Sequence, residues 1–237
     1  MHRKLIAGAL LFLPLIVSAA FAMDPFTDAV QKAYAPYRSA LFMTNTKSKA
    51  ESKQAISKAQ EAWSSIASQY GSKPPVPYDR DPGFRAALTE VGKIYVQAAS
   101  EIDQDQLTQA HETLEKVRDV LAELRQRNQV IVFSDHMNAY HTAMEEVLLK
   151  GKQVLTEQQG MLKITSQVGV LEYLSRRLVT EAPAQYKINE EFLRLTKSIE
   201  KSIDDLKIAL FAQDSNEVLE AMGHLKAPYA KLFLKFG

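Results

Sequence analysis

Residues 107–127 read LTQAHETLEKVRDVLAELRQR. Leu107, Ala110, Leu114, Val117, Leu121 and Leu124 recur at steps of three and four, with mostly polar residues between them. That period lays the apolar residues along one narrow stripe of an α-helix, a seam suited to packing against other helices. The spacing returns in Met137, His141, Met144 and Leu148, and again in Ile199, Ile203, Leu206 and Leu210. Alternating β-branched runs are almost missing. The best strand candidate, Val130-Ile131-Val132-Phe133, is short and sits between two helical segments. The pattern predicts an all-α chain.

Breakers divide the helices. Pro74, Pro75, Pro77 and Pro82 crowd the stretch 72–83, which cannot be helical throughout. Residues 128–133 interrupt again, with Ser134 or Asp135 placed to cap the next helix. Gly160 and Glu181–Pro183 are further breaks, while Pro36 and Pro228 are predicted to start or kink a helix. A weak internal repeat joins the pieces. Ala40-Leu41-Phe42 followed by Asn45 resembles Ala209-Leu210-Phe211 followed by Asp214. After each turn comes similar apolar spacing: Ala55, Ile56, Ala59, Trp63, and Ala221, Met222, Leu225, Tyr229. Antiparallel helical hairpins are therefore expected at 28–70, 84–127 and 188–236, with a fourth, more divergent one at 135–180. Four hairpins make two four-helix bundles, residues 23–130 and 134–237.

The first 22 residues, MHRKLIAGALLFLPLIVSAAFA, read as a signal peptide. Arg3 and Lys4 supply a positive start, Leu5 to Val17 an apolar core, and Ala20-Phe21-Ala22 a small-x-small cleavage pattern. Cleavage there predicts a periplasmic protein with no stable membrane span, since no later apolar run reaches about 18 residues.

Composition narrows the chemistry further. In 237 residues there is no cysteine, so disulfides, thiol catalysis, thiolate metal sites and covalent haem attachment are excluded. A formal charge of +1 removes the strong basic field of a nucleic-acid binder. The sequence lacks a Gly-rich phosphate loop, HExxH and Gly-x-Ser-x-Gly, so a non-catalytic protein is expected.

The chain resembles the periplasmic b-type cytochromes of the b-562 kind. The residues that carry the resemblance are Ile203-Asp204-Asp205-Leu206-Lys207 and, after a turn, VLEAMGHLKAPYAKLFLKF; residues 26–127 match more loosely. The resemblance implies up-down-up-down four-helix bundles. It also implies haem ligands at set positions, but the His position falls on Ala122 and Phe233 and the Met position near Lys32, none of them an iron ligand.

The richest chemical stretch is SDHMNAYHTAMEE, residues 134–146. On a helix, Met137, His141, Met144 and Glu145 share one face. Met and His together suit Cu(I), His with Glu suits Zn(II) or Cu(II), and a neutral His141 could also serve haem b. His136 points away from His141. His111 occupies a slot that is apolar in the other hairpins (Ile56, Met222), with Glu115 one turn later as a partner; it is either a buried structural imidazole or a ligand completed from the third hairpin. His224 is expected to be solvated, as are Arg118, Arg125, Arg127, Arg176 and Arg177. Three functions follow: binding of a metal ion or small ligand through His141, Met137, Met144, Glu145 and His111; interaction with an envelope protein partner, without a cofactor; or electron transfer by non-covalent haem b.

Overall fold

The computed structural model describes residues 24–237; the predicted signal peptide, residues 1–22, lies outside the described residues. Asp24 opens the first helix: its carboxylate accepts the Thr27 N–H at 2.9 Å, and Pro25 takes the first turn, where no N–H is missed. The helices are α1 (Pro25–Asn45), α2 (Lys49–Tyr70), α3 (Phe84–Asp103), α4 (Leu107–Arg127), α5 (Phe133–Leu155), α6 (Gly160–Thr180), the single turn α7 (Ala184–Lys187), α8 (Glu190–Ala212), α9 (Ser215–Gly223) and α10 (Lys226–Phe236). The described residues contain no strand, and the chain is all-α. Val130–Val132 is irregular and Phe133 opens α5. Asp135 does cap α5, but from inside the first turn, by accepting the Val132 N–H at 3.0 Å.

Packing follows the hairpins. α1 lies on α2, α2 on α3, α3 on α4, and α4 returns to α1, which closes one circuit of four helices. α5 lies on α6, α6 on α8, and α8 on both α9 and α10, which return to α5. In this second circuit two short helices share the fourth position, and Pro228 stands in the first turn of α10, as its fixed φ favours. Pro36, by contrast, lies inside an unbroken α1.

The apolar stripe that predicted α4 is buried along its whole length, from Leu107 to Leu124. The repeat is structural as well: Ala55, Ile56, Ala59 and Trp63 are buried in one circuit, Ala221, Met222, Leu225 and Tyr229 in the other. α10 also packs against α1, so the buried side chains from Phe26 to Phe236 form one continuous core. That seam positions the site described next.

Candidate functional site

On α4, His111, Glu115 and Arg118 stand four and three residues apart, so their side chains leave the helix on one face. His141 and Glu145 do the same on α5. The two faces meet where α10 crosses, around a recess of about 50 Å³. Its apolar walls are Leu41 and Phe42 of α1 and Tyr229 and Phe233 of α10; Lys226 stands at its edge.

The imidazoles are the chemical centre. His111 Nδ1 lies 3.0 Å from the Leu41 carbonyl oxygen, with Thr44 Oγ1 at 3.3 Å. A carbonyl can only accept, so Nδ1 carries the proton and Nε2 turns a lone pair into the recess. Burial holds His111 below its ordinary pKa, helped by Lys226 and Arg118 and opposed by Glu115. Burial likewise pushes His141 down to about 3, with Arg118, Lys226 and His111 adding to the effect. Both rings are therefore neutral at neutral pH.

Two carboxylates complete the group. Glu115 Oε1 is 3.5 Å from His111 Nε2 and 3.8 Å from His141 Nε2, and Glu145 Oε1 is 3.6 Å from His141 Nε2. With neutral rings these approaches are not ion pairs, and they exceed hydrogen-bond length. Cations hold the carboxylates from behind: Arg118 Nη2 is 2.7 Å from Glu115 Oε1, and Lys226 Nζ is 3.0 Å from Glu145 Oε1. Arg118 also lies over the Phe233 ring at 5.8 Å. Tyr229 faces His141 with ring centres 5.3 Å apart and donates its hydroxyl to the Met137 carbonyl at 3.2 Å.

The structure divides the predicted ligand set. His111, His141 and Glu145 come together, and Glu115 joins them. Met137 and Met144 do not: both are fully buried in the core and neither lines the recess. A stripe at three- and four-residue spacing is the stripe a helix turns inward, so these thioethers pack instead of facing a ligand. The Cu(I)-type Met/His face is thereby lost. Among the described residues no group of three or more His, Asp and Glu side chains is gathered as a closed metal site; the quartet is an open chain of acceptors.

Two further expectations are corrected. Arg118 and Arg125 are buried instead of solvated, because α4 is packed on more than one side. Arg125 pairs with Asp135 across the α4–α5 connection. Arg176 and Arg177 pair along their own helix with Glu172 and Glu181. His224 is exposed at the end of α9. Lys226 and Tyr229 went unnoticed as site residues; the only hint was their place in the repeat that also carries His111.

Haem does not fit. Phe233 fills the recess wall, and Lys32 pairs with Asp28 on the surface of α1. A recess of about 50 Å³ is far below the roughly 300 Å³ of the smallest usual ligand pockets. Comparison with family models, curated proteins and solved structures returned no match. The likeness to b-type cytochromes therefore rests on sequence spacing alone. No helix among the described residues is long and apolar enough to cross a membrane.

Proposed function

We propose that this is a periplasmic, non-catalytic binding protein that holds a divalent transition-metal ion at the junction of its two helical circuits. The observation that carries the reading is the His111 ring. With Nδ1 committed to the Leu41 carbonyl, its Nε2 lone pair faces the Glu115 carboxylate at 3.5 Å with no proton between them. Two acceptors so placed repel unless a cation or water comes between. A backbone carbonyl fixing the far ring nitrogen is also the usual support of a metal-bound histidine.

The spacing agrees. Bonds of about 2.0–2.1 Å to N and O ligands place neighbouring ligands of a tetrahedral ion roughly 3.4 Å apart. The three N···O separations here are 3.5, 3.8 and 3.6 Å. Two imidazoles with carboxylates suit Zn(II) or Cu(II). Arg118 and Lys226 orient the carboxylates from outside the ligand set. The leader-like residues 1–22 support export.

Metal content of protein isolated from the periplasm, and titration of stripped protein with Zn(II) and Cu(II), test the reading. The expected result is one ion per chain, lost in both His111→Ala and His141→Ala. Equal and negligible binding by all three proteins overturns it. One observation favours a second reading, in which the protein docks an envelope partner and carries no cofactor: Arg118 and Lys226 already neutralise both carboxylates. Metal-free native protein that co-purifies with one partner supports that alternative.

A further inference from the structure

The four candidate ligand groups come from both sides of the junction. His111 and Glu115 belong to α4 in the first circuit, His141 and Glu145 to α5 in the second. Only five residues, 128–132, connect the two helices, with Gln129 in the left-handed region at φ 57° and Ile131 standing 76% exposed. Such a connection restrains the two circuits without clamping them.

The rest of the junction is unusually polar for a buried surface. Arg38 of α1 donates to the carbonyls of Leu234 (3.1 Å) and Gly237. Arg125 and Asp135 pair beside the connection. On α5, Ser134 and Asn138 continue the face of His141 and Glu145, at helical steps of four, three and four. The Ser134 hydroxyl and both amide atoms of Asn138 are buried without a hydrogen-bond partner. Buried polar groups left unmatched cost free energy, so this docked surface is weaker than its area suggests. Polar interfaces between units of one chain commonly permit relative motion.

We infer that the ion is a cross-brace: bound between His111 of one circuit and His141 of the other, it controls how firmly the two helical circuits dock. This rests on the metal-binding reading above and adds a consequence to it. An ion whose ligands are brought together only in the docked arrangement must favour that arrangement by its differential affinity. Release of the ion leaves two facing lone-pair groups and a polar seam, and the junction loosens.

The natural chain has no cysteine, so a pair of spin labels can be placed without background. Lys58 on α2 and Ser166 on α6 are exposed and belong to different circuits. The full chain carrying K58C and S166C is labelled, and the distance distribution is measured after chelation and after addition of one equivalent of Zn(II). Calorimetry on the same samples records binding independently. The expected result is a broad distribution without metal that narrows to less than half its width with Zn(II). His111→Ala and His141→Ala each abolish the narrowing while retaining the helical circular dichroism. Binding with an unchanged distribution overturns the cross-brace and leaves the metal site standing. Binding that survives loss of either histidine places the ion in one circuit alone and overturns it too. Absence of binding in the calorimeter overturns both.

Discussion

Arg118 is the side chain whose removal the junction tolerates least. It is 7% exposed, lies over Phe233, and is the nearest counter-charge to Glu115. Taking away one partner of a buried pair strands the other, at a cost of about 3–5 kcal/mol. Arg118→Met should therefore lower the urea midpoint strongly, by about 3 kcal/mol of unfolding free energy. The double variant Arg118→Met, Glu115→Leu should recover much of that loss, because no carboxylate is then left buried alone. A double variant as unstable as the single one would show that packing on Phe233, not charge, is what Arg118 supplies. Lys226 works in the opposite direction on the ion. Its ammonium sits 3.0 Å from Glu145, where it competes with any dication for that carboxylate. Lys226→Met should tighten Zn(II) binding about tenfold, roughly 1.4 kcal/mol, and Glu145→Gln should weaken it by at least as much. Isothermal titration calorimetry of the two variants reads both signs.

The helices end on devices that can be tested one at a time. Asp81 ties the Pro-rich crossing to the end of α4: its carboxylate accepts from Asn128 Nδ2 at 2.8 Å and the Gly83 N–H at 2.8 Å, with Arg127 at 3.2 Å. Burial pushes this carboxyl upward, but Asn128, Gly83 and Arg127 together outweigh it and hold its pKa below the ordinary value. A pKa lower in the folded than in the unfolded chain stabilises the protein above about pH 4. That contribution disappears as pH falls through the folded value. Asp81→Asn should thus lower the melting temperature at pH 7 by roughly 3 °C, for a loss of about 1 kcal/mol, and the gap should close toward pH 3. A gap independent of pH would assign the effect to geometry instead of charge. Gln213 ends α8 in the left-handed conformation at φ 57°, where a side chain costs about 1 kcal/mol relative to glycine. Gln213→Gly should raise stability by about that amount in thermal or urea unfolding, and a loss would mean that the side chain holds the turn.

These elements also mark what a sequence can convey. The α4 stripe was legible because Leu107 to Leu124 obey one period without exception, and the proline-rich crossing because its residues cannot continue a helix. The split between α9 and α10 was signalled only by Pro228 and read as a possible kink. At the site, His111 stood out as a polar residue in an apolar slot, and His141 by its neighbours. Their meeting was not legible. It depends on how α10 settles between α1 and α5, a packing event with no local signature. Met137 and Met144 misled for a related reason: spacing identifies a shared face but not whether that face meets ligand or core.

At the scale of the whole molecule, α10 is the element that belongs to both circuits. Tyr229 and Phe233 stack at 6.0 Å, Tyr140 stacks on Tyr229 at 5.5 Å from the second circuit, and Arg118 covers Phe233 from the first. Because the buried core runs without interruption across this seam, a cavity there should be felt on both sides. Phe233→Ala removes the shared ring and should cost about 3 kcal/mol, the lower end for a large buried aromatic. Ile56→Ala, buried between α2 and its neighbours in the first circuit alone, removes aliphatic volume at a similar cost of about 3 kcal/mol. Native-state hydrogen exchange distinguishes the two losses. Ile56→Ala should accelerate exchange in α1 to α4 and leave α6 and α8 nearly unchanged, because the opening stays within one cooperative unit. Phe233→Ala should accelerate exchange in α1 and α4 as well as in α5, with the largest change around Leu41 and His111 opposite the missing ring. Acceleration confined to α5, α6 and α8 would mean that α10 serves its own circuit only, and that the seam with α1 contributes nothing to holding the molecule together.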